Sequence, residues 1–117
     1  MASGDKEFST RVADRLVAMG PVRPRAMFGG HGLFLDGTMF GLVWRGTLYF
    51  KVGAANKGDY DAAGSEPFAY MRGNERIEMS YSTLPDDVFA NSATLTEWAE
   101  RSLAVARASR RKSKKRR

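Results

Sequence analysis

Residues 31–53 read HGLFLDGTMFGLVWRGTLYFKVG. Three runs of large apolar and aromatic residues are separated by Asp36-Gly37 and Arg45-Gly46. An aspartate-glycine pair between apolar runs signals a two-residue hairpin turn, because its central positions need positive φ and glycine adopts that without steric cost. Arg45-Gly46 gives a similar, weaker signal. The stretch therefore predicts a meander of three antiparallel strands within residues 26–52. Simple alternation assigns Phe40, Leu42 and Trp44 to one face and Met39 and Val43 to the other. Both faces then carry large apolar groups, whereas a sheet with one wet face alternates apolar with polar. The second face is thus expected to be covered as well, by a helix, by the tail of the fold or by another chain.

Outward from the meander, Phe8, Val12, Leu16 and Met19 recur at spacings of four, four and three, which predicts a helix over residues 5–19. Gly20 and Pro21 stop it, and PVRPR (21–25) reads as an extended connector because each proline biases its predecessor away from helix. On the other side, residues 54–63 predict a short helix closed by Gly64. PFAYM and RIEMSYS form a second hairpin around RGNE (72–75), with Ile77, Met79 and Tyr81 facing inward. Pro85 opens a short helix at 85–90, with Asp86 and Asp87 in its first turn, where the dipole favours negative charge. A last helix starts near Thr94, which has capping-box spacing to Glu97. Its apolar face holds Leu95, Trp98, Ala99, Ser102, Val105 and Ala106, and Trp98 is expected to anchor it on the sheet. The order α-β-β-β-α-β-β-α-α predicts an α+β fold with an antiparallel sheet of about five to six strands.

The chain has 117 residues, enough for one domain with one core. It contains no cysteine, which excludes disulfides, thiolate metal sites and a cysteine nucleophile. No apolar leader opens the sequence and no stretch has the length of a membrane helix, so a cytoplasmic protein without membrane partners is expected. The net charge of +6 is unevenly placed. Of the 19 basic residues, seven lie in RRKSKKRR (110–117); the other 12 face 13 acids, which leaves 1–109 at −1. The division predicts a folded body over 1–109 and a disordered basic tail over 110–117. Arg110, Arg111, Lys112, Lys114, Lys115, Arg116 and Arg117 are the candidate nucleic-acid-binding residues, selecting DNA or RNA as polyanions without reading sequence. Seven phosphate contacts would give log K a slope of about −6 against log salt.

The Gly-rich start of the meander invites a phosphate-loop reading. Gly30 and Gly32 match the first two glycines of a dinucleotide fingerprint, but Leu35 stands at the third and the segment leads into a strand. A turn or bulge between strands fits better. His31, the only histidine, could act as a base, yet only Asp36 and Ser65 offer partners and no serine sits at a strand-to-helix elbow. Asp86 and Asp87 are explained by the helix start, and Asp59 and Asp61 lie on different sides of a short helix. Trp44, Tyr49 and Phe50 lack the interleaved basic residues of a base-stacking platform, with only Arg45 and Lys51 near, so core packing is expected for them. No catalytic residue, metal site or cofactor is predicted.

The segment RAMFGGHGLFLDG contains Arg25, Met27, Phe28, Gly29, Gly30, Gly32, Asp36 and Gly37; LYFKV, AGSEPF and SYSTLP follow at 48–52, 63–68 and 80–85. In these motifs and their order the chain resembles the N-terminal domain of the TfoX/Sxy family, over about residues 8–107. The resemblance implies an α+β domain and a link to regulators of natural competence genes. It implies coactivation beside a DNA-binding transcription factor and supplies no catalytic residues. Full-length regulators of the family carry a second, helical domain, whereas the basic run follows here. Together these readings predict a non-enzymatic regulatory or adaptor domain with a protein partner, tethered to nucleic acid by its tail. Two other readings stand beside it: a small ligand-binding domain or enzyme centred on His31, and a homodimer joined through the sheet.

Overall fold

A computed structural model describes residues 2–27 and 29–115. The chain is α+β, as the pattern predicts. It runs α1 (Ala2–Arg15), β1 (Arg23–Met27), β2 (Gly30–Leu35), β3 (Thr38–Trp44), β4 (Thr47–Lys51), α2 (Lys57–Ala62), β5 (Pro67–Arg72), β6 (Glu75–Thr83), α3 (Asp86–Ala90) and α4 (Ser92–Lys115). Among the described residues the strands form one six-stranded sheet in the order β1-β2-β3-β4-β6-β5, with every neighbouring pair antiparallel. No described helix is long and apolar enough to cross a membrane.

The hairpin turns fall where their residue types demand. Asp36 and Gly37 have φ of 50° and 78°, and Arg45 and Gly46 repeat the same values, so both turns take the doubly left-handed form that matches strand twist. The connector before the meander differs from expectation. Arg23–Met27 pairs along β2 as an edge strand. Extended backbone is what its prolines favour, and an outermost strand tolerates Pro24 because only one side of it joins the ladder.

Helices cover one face of the sheet. Val12 from α1 and Leu16 just after it, with Leu95, Ala99 and Leu103 from α4, close on Leu33, Phe40, Val43 and Phe50. The helix α1 ends at Arg15 and tightens into a 3-10 turn at Val17–Met19 before Gly20, so the predicted single helix over 5–19 is two pieces. Leu95, Ala99, Ser102 and Ala106 are buried, as the helical stripe predicts. The cap of α4 is Asn91 rather than Thr94: its side-chain oxygen accepts the Thr94 N–H at 3.0 Å. Asparagine is among the strongest N-cap residues, and it stands three positions earlier. Trp98 packs against the core shared by the sheet and helices and meets the Tyr60 ring of α2 edge-on at 4.8 Å.

Simple alternation fails in β3. Leu33 pairs with Gly41 but Phe34 pairs with Met39, so Phe40 is an extra residue. This bulge turns Phe40 into the helix-side core with Val43, while Leu42, Trp44 and Met39 belong to the opposite face. One inserted residue exchanges the faces of everything beyond it.

Within the chain, the opposite face is covered by the second hairpin rather than by a helix or the tail. Leu42, Phe68 and Tyr81 form a second core, joined by Met39, Trp44, Tyr49 and Met79. Phe68 of β5 meets the Trp44 ring at 5.2 Å and the Tyr49 ring at 5.1 Å, both edge-on. A flat sheet would hold β5 about 14 Å from β3, three strand spacings away. The β5–β6 hairpin therefore curls over this face. Its pairing breaks where Pro67 opposes Ser82 and Ala69 opposes Glu78, leaving β6 two residues longer than β5 across the break and bending it.

Candidate functional site

The basic end of the chain meets the body at the β2–β3 turn. Helix α4 packs its buried residues on the sheet up to Ala106, and its next turn passes over Asp36, Gly37 and Thr38. Arg110 Nη1 donates to the Gly37 carbonyl at 3.2 Å and to Thr38 Oγ1 at 2.8 Å. Arg107 Nη2 lies 3.6 Å from Asp36 Oδ2, an exposed pair. Thr38, Arg107, Arg110 and Arg111 line an open concavity of about 240 Å³. The turn was legible in the sequence; its contact with arginines some 70 positions later was not.

The tail departs from expectation. Residues 110–115, expected to be disordered, continue α4 as helix. Arginine and lysine are good helix formers, and cations are favoured in the last turns of a helix, where the carbonyl ends concentrate negative potential. Arg110 and Arg111 are thus placed on a rigid element. Arg116 and Arg117 lie outside the described residues, as do the side chains of Lys112, Lys114 and Lys115.

The described glycines of the Gly-rich motif lie at the β1–β2 turn and along β2. Gly29 has φ 77° in the β1–β2 turn, next to Phe28, which lies outside the described residues. A Cβ on Gly30 would stand 2.3 Å from the Val43 carbonyl oxygen, and one on Gly32 would stand 2.6 Å from Met27 Sδ. These glycines let neighbouring chains approach. The Arg25 guanidinium lies over the Phe34 ring at 5.1 Å.

His31 is half-buried in β2 opposite Ala26 and Val43, and its Nδ1 is buried without a hydrogen-bond partner. Asp36 stands in the turn just past the far end of that strand, about 16 Å away by strand rise, facing Arg107. Ser65 lies in the loop after α2. The three are not brought together. Asp59 pairs with Arg101 at 3.0 Å and Asp61 with Lys57 at 2.8 Å, both on the surface. Phe50 is fully buried beside Phe40. Trp44 and Tyr49 are taken up by Phe68, leaving no aromatic platform at these positions.

One buried polar cluster escaped sequence reasoning. The Lys51 carbonyl at the end of β4 accepts from Ser102 Oγ at 2.8 Å and from Asn56 Nδ2 at 3.0 Å, while Asn56 Oδ1 accepts the Gly53 N–H at 2.8 Å. Tyr60 Oη lies 3.4 Å from Ser102 Oγ, and burial pushes its pKa up to about 12. The cluster satisfies the strand end under α4, as buried polar groups require. Burial also lowers the pKa of Lys51, whose ammonium lies 5.3 Å from the Tyr81 ring centre.

No curated protein matches the chain. A family model described as the TfoX N-terminal domain matches residues 14–106, from within α1 to the last deeply buried turn of α4.

Proposed function

Because the chain belongs to the TfoX N-terminal domain family, we propose that it is a cytoplasmic, transcription-related regulatory module, working through protein contacts and held near nucleic acid by its basic end. The charge division carries this reading: seven cations and no acid in 110–117, against a body of −1. The helical backbone of α4 continues through Lys115 and carries Arg110 and Arg111. A run of cations of this density attracts phosphate backbones without reading bases. For the protein contact, Tyr70 and Met71 on β5 are exposed apolar side chains, at 40% and 62%. The module is non-enzymatic in this reading, since His31, Asp36 and Ser65 stand apart. A transcription factor is the expected partner, and a second copy of the chain is the outcome that light scattering separates from it.

The test uses the full chain and a full-length variant with Lys112, Lys114, Lys115, Arg116 and Arg117 changed to Gln. Both are titrated with several unrelated duplexes across a salt series. The wild type binds all duplexes alike, and the variant's salt slope is shallower by about 4 to 5. Unchanged binding by the variant would overturn the tether by 112–117, and a marked preference for one duplex would show that the body itself reads DNA.

A further inference from the structure

We propose that Arg107, Arg110, Arg111 and Thr38 form a seat for one phosphate group where α4 crosses the β2–β3 turn. The proposal deepens the reading above and rests on it for the source of the phosphate. It adds two members from the folded body, Thr38 and Arg107, to the basic end.

The three arginines are spaced by three and four positions, so they share one side of the helix. They line the 240 Å³ concavity together with Thr38. Like charges so placed repel, and among the described residues only Asp36 pairs with any of them. That pair is 3.6 Å long with a carboxylate 76% exposed, so a more highly charged anion displaces it readily.

Arg110 is held in place by the Gly37 carbonyl and the Thr38 hydroxyl. A guanidinium has five N–H donors, so others remain free to turn toward the concavity. Arginine has no acceptor, so Thr38 Oγ1 must accept in that contact and its own proton is left to donate. The Gly37 carbonyl is already engaged. The lining therefore offers donors and positive charge. Phosphate, which accepts through several oxygens and carries up to two negative charges, is its complement, and guanidinium forks match that geometry. A nucleic-acid backbone and a free phosphate monoester both present this group.

The experiment titrates the isotope-labelled full chain with inorganic phosphate and, at matched ionic strength, with chloride. Arginine Nε–H and backbone amide resonances are followed by NMR. Phosphate should shift the Arg107, Arg110 and Arg111 side chains and the Thr38 amide saturably, with chloride much weaker. The double variant R107Q/R111Q should bind phosphate about tenfold more weakly or worse. Thr38→Val, which keeps the shape and removes the hydroxyl, should also weaken it. Shifts confined to 112–117, or equal effects of chloride, would overturn the seat.

A second arm measures duplex binding against salt. A slope shallower by about 2 in R107Q/R111Q identifies nucleic acid as the source. Saturable phosphate binding with an unchanged duplex slope supports the seat and assigns it to a free phosphate ester. Intact duplex binding without phosphate shifts at the seat overturns the seat and leaves the tether standing. A saturable seat with no duplex binding does the reverse.

Discussion

At the scale of the residue, backbone strain and its relief sit far apart in the chain. Arg45 holds φ 50°, a conformation costing a side-chain-bearing residue about 1–2 kcal/mol. The Asp5 carboxylate offsets it, accepting the Arg45 N–H at 2.9 Å and the Gly46 N–H at 2.8 Å. Asp5→Ala should therefore lower unfolding free energy in urea by about 2 kcal/mol; a loss near zero would mean water replaces the carboxylate. Two glycines should respond with opposite signs. Gly30→Ala drives a methyl into the Val43 carbonyl and should cost about 1–3 kcal/mol. Gly58→Ala, in α2 with open space around it, should stabilise by about 0.5–1 kcal/mol. Thermal melts of the pair check both directions. The Asp36-Gly37 turn was readable from local chemistry alone. The pairing of Asp5 with residues 45–46 was not, because no local pattern encodes contact across 40 positions.

At the scale of the element, two breaks in strand pairing set the shape of the sheet. The extra residue at Phe40 and the longer span of β6 are invisible to a period-two reading, which assumes uninterrupted pairing. Phe68 then serves as the contact between the curled hairpin and the meander. Phe68→Ala removes its contacts with Trp44, Tyr49 and Tyr70 and should cost about 3 kcal/mol. Amide exchange should quicken first in β5 and β6, while α1 and α4 keep their protection. Equal quickening everywhere would show that the hairpin unfolds only with the whole domain. The arginine seat too joins segments that are distant in the sequence. The spacing of Arg107, Arg110 and Arg111 was readable, but not the turn their helix crosses.

At the scale of the whole molecule, two cores share one sheet, and each buries a tyrosine. Burial pushes both Tyr60 and Tyr81 from an ordinary pKa of 10.0 up to about 12. Below pH 10 both phenols are neutral in the folded and unfolded chain. Between pH 10 and 12 the unfolded chain loses protons that the folded chain keeps, so stability falls as pH rises. Urea unfolding over this window should show that decline, with Tyr60→Phe flattening part of it. A phenolate absorbance rise near pH 10 in the folded protein that is lost in Tyr60→Phe or Tyr81→Phe would contradict it. The sequence by itself determined the α+β class, the turns, the helical stripes and the concentration of charge at 110–117, because each depends on residues within a few positions of one another. Only the tertiary structure decided which face Phe40 occupies, what covers the second face, and which turn the arginines of α4 cross. Those depend on where the chain breaks register and folds back, and contacts between distant segments decide that.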